Sequence, residues 1–256
     1  MAARVDTAAD RIVFLGHASV LIECDGVRLL TDPLLRSREL HLRRQVAPVP
    51  LALTAGVEAV LISHLHHDHF DPPSLRRLGR RDVPLLVPEG AAAWVRRRGF
   101  AAVRELAAGD SASVGALSVT AVHARHDGWR PGGPRAAAAG FVVRGGHAVY
   151  FAGDTELFAD MATLAPELDV ALLPVSGWGP RLGPGHMSPL DAARAAALLR
   201  PRMAIPIHWG TLLAMGLPRR HRDALGDPPR AFAEHVARLA PGVEVRILAP
   251  GQETAM

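Results

Sequence analysis

The sequence predicts an α/β protein in which two β-sheets pack face to face with helices outside them. Two observations carry this. Short β-branched or apolar runs precede helical segments, and that order occurs twice along the chain. The clearest helix, "SPLDAARAAALLR", lies in the second half between two strand-like runs. The chain has 256 residues, 49% hydrophobic and 21% charged, so it can bury a sizeable core with an ordinary globular balance. No repeat and no long linker divides it, and a single domain over 1–256 is expected.

The elements follow in order. "RIVFLG", "SVLIEC" and "VRLLTD" read as strands, separated by turn signals such as "CDG". "VEAVLIS" is a fourth strand and "VPLLVP" a fifth, with a helix expected over 90–98. The second half brings "LSVTAV", "AAGFVVRG" and "HAVYFAGD", with Gly145 and Gly146 as a hairpin turn. A helix over 157–164 and the strand "VALLPV" come next. In "SPLDAARAAALLR", Ser188 can cap the helix, Pro189 suits its first position, and Asp191 completes an S-x-x-D box. Pro201 ends it. "MAIPIH" is a strand, 229–239 a helix and "VEVRIL" a last strand, while "RPGGPRAAAAG" (130–140) reads as a loop.

No run of about 18 uninterrupted apolar residues exists, so no membrane span is expected. The opening "MAARVDTAADR" lacks the apolar core of a signal peptide. The single cysteine, Cys24, excludes an internal disulfide and a thiolate cluster. Together these predict a cytoplasmic protein. The net charge is +4, and every cation among Lys and Arg is Arg, as a GC-rich genome would give. The Arg runs "RRLGRR" and "RRR" fall at helix ends without interleaved aromatics, so they read as solvated helix faces; a nucleic-acid partner is not expected.

The densest chemistry is "LISHLHHDHFD", 61–71, where His64, His66, His67 and His69 fall within six residues around Asp68. It has the form H-x-H-x-D-H and follows an apolar strand directly. In extended chain, residues two apart share a side, so His64 and His66 can converge on one point. Asp68 and His69, where the chain turns, can face a second. Imidazole and carboxylate are the usual ligands of Zn²⁺, Mn²⁺ and Fe²⁺. Further donors stand at later strand ends: His123 or His126 in "TAVHARHD", Asp154 in "YFAGDTE" and His208 in "AIPIHWGT". Ligands converging from several strand ends are how a rigid scaffold holds a metal.

These blocks, with "GHASVLIECDGVRLLTDP" before them, resemble the metallo-β-lactamase superfamily across nearly the whole chain. "FAGDT" and "GHMSPLDA … IPIHWGT" are most similar to a branch of intracellular hydrolases. That branch includes the N-acyl-phosphatidylethanolamine-hydrolysing phospholipase D and the ascorbate-6-phosphate lactonase. The resemblance implies a four-layer αββα sandwich with a binuclear site at one edge. His64, His66 and His126 would hold the first metal. Asp68, His69 and His208 would hold the second, with Asp154 bridging. His126 rather than His123 fits the family block "V-P-A-x-H", in which His123 falls on the Pro.

Two divalent cations, Zn²⁺ foremost with Mn²⁺ or Fe²⁺ as alternatives, placed about 3.5–4 Å apart, would share a hydroxide nucleophile. Asp68 is the expected catalytic carboxylate, orienting that group or taking its proton. Five His and two Asp carry only two negative charges, so the loaded site is positive and favours an anionic substrate, small or lipid-like. The expected activity is hydrolysis of an ester-type bond, phosphodiester or lactone. A non-catalytic metal-binding module and a nuclease of the same superfamily are the alternatives. His186, in the Gly-rich "SGWGPRLGPGHMSP", is the candidate acid for the leaving group, with Trp178, Trp129 and Arg130 as possible pocket lining. Asp32 is the candidate to receive an N–H from a ligand histidine, with a plain turn cap before Pro33 as the alternative. His17 belongs to the same edge in either a packing or a functional role. Trp129 and Trp209 read equally as core or rim packing, His67 as a bystander, and His41, His147, His221 and His235 as surface.

Overall fold

The structure, a computed structural model, describes residues 10–80, 82–164, 166–177, 182–218, 220–221 and 224–256. The first half contains β1 (Arg11–Gly16), β2 (Ser19–Cys24), β3 (Val27–Thr31), β4 (Arg38–Glu39), β5 (Leu42–Arg44), β6 (Ala59–Leu61), α1 (Pro72–Arg76), β7 (Leu85–Pro88), α2 (Ala92–Arg96) and β8 (Val103–Leu106). The second contains β9 (Ser111–Val114), β10 (Leu117–His123), β11 (Ala139–Arg144), β12 (Ala148–Phe151), α3 (Met161–Leu164), β13 (Val170–Pro174), α4 (Pro189–Leu199), β14 (Met203–Ile207), β15 (Leu212–Ala214), α5 (Asp227–Leu239), β16 (Glu244–Val245) and β17 (Glu253–Ala255).

One seven-stranded sheet runs β17-β1-β2-β3-β6-β7-β8, and the other runs β16-β14-β13-β12-β11-β10-β9. Side chains alternate across each strand, and both faces are apolar, because each sheet is covered twice. Phe14, Ile22, Leu29 and Leu61 point inward against Phe141, Phe151, Leu172 and Ile205 of the other sheet. Their neighbours Val13, Leu15, Leu21, Leu30 and Val60 point outward under Leu75, Trp94 and Val95 of α1 and α2. On the far side Tyr150, Ala171, Leu173 and Ala204 lie beneath the alanines of α4 and Phe232 and Val236 of α5. The result is the αββα layering.

The strands that matter for chemistry are parallel: β3–β6–β7 in one sheet and β12–β13–β14 in the other. Parallel strands bring their carboxyl ends to one edge, where the crevice of such a sheet lies. A third, three-stranded sheet, β15-β5-β4, flanks that edge and is absent from the sequence-based expectation. Its strands have two or three residues each, too short for periodicity to register.

Other boundaries shift for physical reasons. The helix expected over 157–164 forms only at Met161–Leu164, and the one over 90–98 shortens to Ala92–Arg96. "VEVRIL" pairs only at Glu244–Val245, where β14 supplies a partner. The helix expected from 229 starts at Asp227, because Pro228 and Pro229 fit a first turn that needs no N–H. The Ser188 cap forms as a full capping box, with Asp191 answering the Ser188 backbone. Gly145 and Gly146 do turn the β11–β12 hairpin, within which Gly145 donates to the His147 carbonyl.

Candidate metal centre

β6 ends at Leu61, and the chain then makes the turn carrying the four histidines. His66 O accepts from the amides of His69 (3.1 Å) and Phe70 (2.8 Å), which folds His69 back beside His64. Asp71 caps α1 from below, accepting from the Ser74 amide at 3.1 Å and from both Nε and a terminal nitrogen of Arg36. Asp154 follows β12, His208 follows β14, and His126 follows β10. Three residues here hold left-handed backbone that disfavours a side chain: His17 (φ 58), Asp32 (φ 32) and His208 (φ 61). Such strain persists only where the surroundings over-determine it. Here His17 donates its amide to Thr211 Oγ1 (2.7 Å), and its carbonyl receives the His208 amide (2.8 Å).

Each of the five imidazoles has one nitrogen committed outward. Ser63 Oγ donates to Asp32 Oδ2 at 2.5 Å, so it accepts from His64 Nδ1 at 2.9 Å. His69 Nδ1 donates to Asp32 Oδ2 at 2.7 Å, the place predicted for Asp32. His66 Nε2 donates to the Trp129 carbonyl (2.9 Å), His126 Nδ1 to the Gly185 carbonyl (2.7 Å), and His208 Nδ1 to the Ser176 carbonyl (2.8 Å). An outward N–H fixes the tautomer and turns the other nitrogen's lone pair inward.

The inward nitrogens converge. His64, His66 and His126 each offer a donor atom within 4.8 Å of the others, and so do Asp68, His69, His208 and His17. Asp154 stands between the two groups. Its Oδ2 lies 3.1 Å from His69 Nε2 and 3.9 Å from His64 Nε2, and its Oδ1 lies 3.3 Å from His208 Nε2. His126 Nε2 faces His66 Nδ1 at 3.1 Å, and His69 Nε2 faces His208 Nε2 at 3.2 Å. Lone pairs directed at each other at that distance repel unless a cation or proton lies between them. His64 Nε2 and Asp154 Oδ1 are buried with no hydrogen-bond partner among the described residues, and buried polar atoms of that kind are costly. This donor set, nitrogen and carboxylate oxygen aimed at common points, fits divalent cations.

Charges follow the same geometry. Burial pushes the Asp154 and Asp68 carboxyls up, but the surrounding imidazoles outweigh it and hold both well below the usual carboxylate range. Burial depresses His64 far below an ordinary histidine, with His69 and His126 adding to it, and pushes His126 down to about 4. Neutral imidazole is the form that donates to a metal.

The other candidates fall into place. His123 is exposed at the end of β10, edge-on to Phe158 at 5.3 Å, and stands outside the cluster that His126 joins. His186 is half-buried; its Nδ1 lies 2.9 Å from the Pro184 carbonyl and its Nε2 3.3 Å from Asp154 Oδ2. His17 lies inside, buried, with Nε2 2.9 Å from Asp68 Oδ2. Trp209 packs on Phe14 at 6.0 Å. His41 is exposed, whereas His147, His221 and His235 are half-buried. Trp178 lies outside the described residues. Arg130, a possible pocket wall on sequence grounds, is 8% exposed and sits beneath the histidine turn, touching His67, which is therefore no bystander.

Two glycines make the approach possible. A Cβ on Gly185 (φ +80) would lie 2.7 Å from His126 Nδ1, and one on Gly153 (φ +60) would lie 2.5 Å from Ser63 Cβ. The residues that sequence reasoning missed are mostly backbone carbonyls, those of Trp129, Ser176 and Gly185. Every residue has a carbonyl, so no sequence signal marks them.

Residues 27–209 match the beta-lactamase superfamily domain. The chain belongs to the beta-lactamase superfamily. Within it, a UPF0173 metal-dependent hydrolase of Deinococcus radiodurans is 34% identical over 257 residues, covering 96% of this chain and 99% of its own. An N-acyl-phosphatidylethanolamine-hydrolyzing phospholipase D 1 of Caenorhabditis elegans is 28% identical over 224 residues, covering 77% of this chain and 63% of its own. Igni18, a metallo hydrolase from Ignicoccus hospitalis, shares the fold with a TM-score of 0.72 at 23% identity, covering 97% of this chain and 99% of its own. No helix among the described residues is long and apolar enough to cross a membrane.

Proposed function

We propose that this superfamily member is a metal-dependent hydrolase that holds two divalent cations and cleaves an ester-type bond, phosphodiester or lactone. One observation carries the reading. Five histidines, each tied outward by its other nitrogen, aim a lone pair at two points on either side of Asp154. His64, His66 and His126 would hold one cation, and Asp68, His69 and His208 the other, with Asp154 shared. Zn²⁺ suits the set best, with Mn²⁺ and Fe²⁺ acceptable to the same ligands. When bound, the cations supply Lewis acidity at the scissile group and lower the pKa of the attacking water.

The chain's own residues do the rest. Asp68 orients the attacking water and takes up its proton. His186, half-exposed beside Asp154, delivers a proton to the leaving oxygen. Seven ligands with two formal negative charges leave the loaded site positive, so an anionic substrate is favoured. The C. elegans relative, named for hydrolysing a phospholipid, supports a lipid-like anionic substrate.

The test is hydrolysis of bis(p-nitrophenyl) phosphate by chelator-stripped protein refilled with Zn²⁺ or Mn²⁺, with Asp68→Ala beside it. Metal-dependent turnover that falls about 10²–10⁴-fold in a folded Asp68→Ala supports the assignment. Turnover unchanged in that variant removes Asp68 from the mechanism. Two metals bound without turnover redirects the substrate to lactones and carboxylic esters. No metal bound overturns the reading.

A further inference from the structure

The histidine turn needs something to hold its shape. A loop of ten residues, 62–71, with no regular structure of its own must keep three imidazoles and a carboxylate aimed within tenths of an ångström. The loop between β10 and β11 comes across from the other half of the molecule to meet it. Gly128 lets the two arms of this loop touch, since a Cβ there would lie 2.6 Å from the Ala136 carbonyl. The returning arm is fastened to the first half: Ala137 donates to the Glu89 carbonyl and Ala139 to the Ser63 carbonyl, both at 2.9 Å.

Trp129 and Arg130 are the tip of this anchored loop. The Trp129 carbonyl takes the outward N–H of His66. The Arg130 guanidinium enters beneath the turn. One terminal nitrogen donates to the carbonyls of Leu65 (3.1 Å) and Phe70 (2.9 Å), and the other donates to His67 Nδ1 (2.7 Å). Leu65 and Phe70 bracket the run His66–His69, so one planar group fixes both ends of the segment. The guanidinium lies 5.1 Å from the Trp94 ring, and Arg98 stands over that same ring at 3.1 Å. Among the described residues none of its hydrogen bonds goes to a carboxylate. A buried cation with no hydrogen-bonded carboxylate, beside a place suited to divalent cations, is electrostatically unfavourable. What the site gains is the rigid fork of donors, which a lysine cannot reproduce.

We propose that Arg130 is a positioning residue that clamps the histidine turn, bridging the Leu65 and Phe70 carbonyls and His67 so that His66, Asp68 and His69 keep the geometry that receives the metal. The inference rests on the reading of that turn as a metal site, but its first test does not. Arg130→Ala and Arg130→Lys are compared with the unaltered protein in two measurements. One is amide hydrogen exchange of the chelator-stripped protein. The other is titration with Co²⁺ against a competing chelator, followed by the cobalt absorption bands.

The clamp predicts that amides 64–71 exchange at least about tenfold faster in Arg130→Ala while those of β11–β13 keep their rates. One cobalt equivalent weakens by about 10–100-fold, as for other groups that orient ligands from outside, and its bands shift. Millimolar guanidinium ion restores part of both in Arg130→Ala. Arg130→Lys, which keeps the charge without the fork, shows the same changes to a lesser degree and serves alone if Arg130→Ala does not fold. Unchanged exchange and affinity in either folded variant overturn the clamp. Faster exchange throughout the molecule assigns Arg130 a general packing role and overturns it too. If the unaltered protein binds no cobalt, the metal reading fails, and the exchange comparison alone decides the clamp.

Discussion

His17 Nε2 lies 2.9 Å from Asp68 Oδ2, and both residues are buried. The partner on the other carboxylate is His186, whose Nε2 lies 3.3 Å from Asp154 Oδ2. Each inward carboxylate is thus steadied by an imidazole beyond the five that converge on the centre. Burial, reinforced by His208, pushes His17 down to about 3, so at neutral pH it is a neutral ring that can give Asp68 one N–H. The same Asp68 Oδ2 faces His69 Nε2 and His208 Nε2 at 3.6 and 3.8 Å, so the His17 bond sets its direction. His17→Ala is expected to lower turnover and the affinity for one metal equivalent by about 10–100-fold with the fold intact. Chelator competition and circular dichroism check this, and wild-type affinity in the variant would make His17 a packing residue only.

Metal removal should lower thermal stability. The inward ring nitrogens of His66 and His126, and of His69 and His208, face each other at 3.1 and 3.2 Å. A divalent cation held among them binds only the folded state. Holding Zn²⁺ at about 100 times its dissociation constant adds about 2.7 kcal/mol, or roughly 5–10 °C in Tm for a chain of this size. Scanning calorimetry with and without chelator measures the shift; coincident transitions would count against a folded-state metal site.

Gly153→Ala should damage both stability and the site. The residue holds φ +60, and a Cβ would stand 2.5 Å from Ser63 Cβ. Ser63 carries the hydrogen bonds to Asp32 and His64, so the push reaches His64 and His69 as well as the adjacent Asp154. A loss of about 1–3 kcal/mol is expected from strain and overpacking, with weaker metal binding. Urea unfolding gives the first and chelator competition the second. A variant as stable as the parent would show that β12 can move without cost.

Cys24 reports on unfolding. Burial pushes its thiol up to about 11. At pH 8 the folded protein therefore holds less thiolate than an unfolded chain, and the thiolate is the reactive form. Labelling by a thiol reagent at pH 8 is expected to be slow in buffer and to accelerate through the urea transition. Fast labelling of the native protein would place Cys24 at an opening in the β2–β3 turn.

Much of the candidate ligand set could be assembled from the chain alone. The H-x-H-x-D-H spacing, Asp154 after "YFAG" and His208 after "AIPI" are local patterns, because a strand end delivers its next side chain to one edge whatever lies around it. The α4 cap was equally legible, since Ser188, Pro189 and Asp191 satisfy orphan amides within one turn. The β15-β5-β4 sheet was not, because its strands are shorter than a hydrophobic period.

What only the tertiary structure decided lies between distant parts of the chain. The resemblance chose His126 over His123, but its place comes from the fold: the chain leaves β10 after His123, so that His126 turns toward His66 while His123 stays at the surface. Arg130 moved from an expected pocket wall to beneath the histidine turn, and His17 from an open choice to a hydrogen bond with Asp68. Three of the five ring orientations depend on the carbonyls of Trp129, Ser176 and Gly185. The physical reason is the reach of each determinant. Donor identity is a property of a side chain and can be read one residue at a time. For four of the five rings donor direction is set by hydrogen bonds between residues 32 to 63 positions apart, and those exist only once the strands that carry them have assembled.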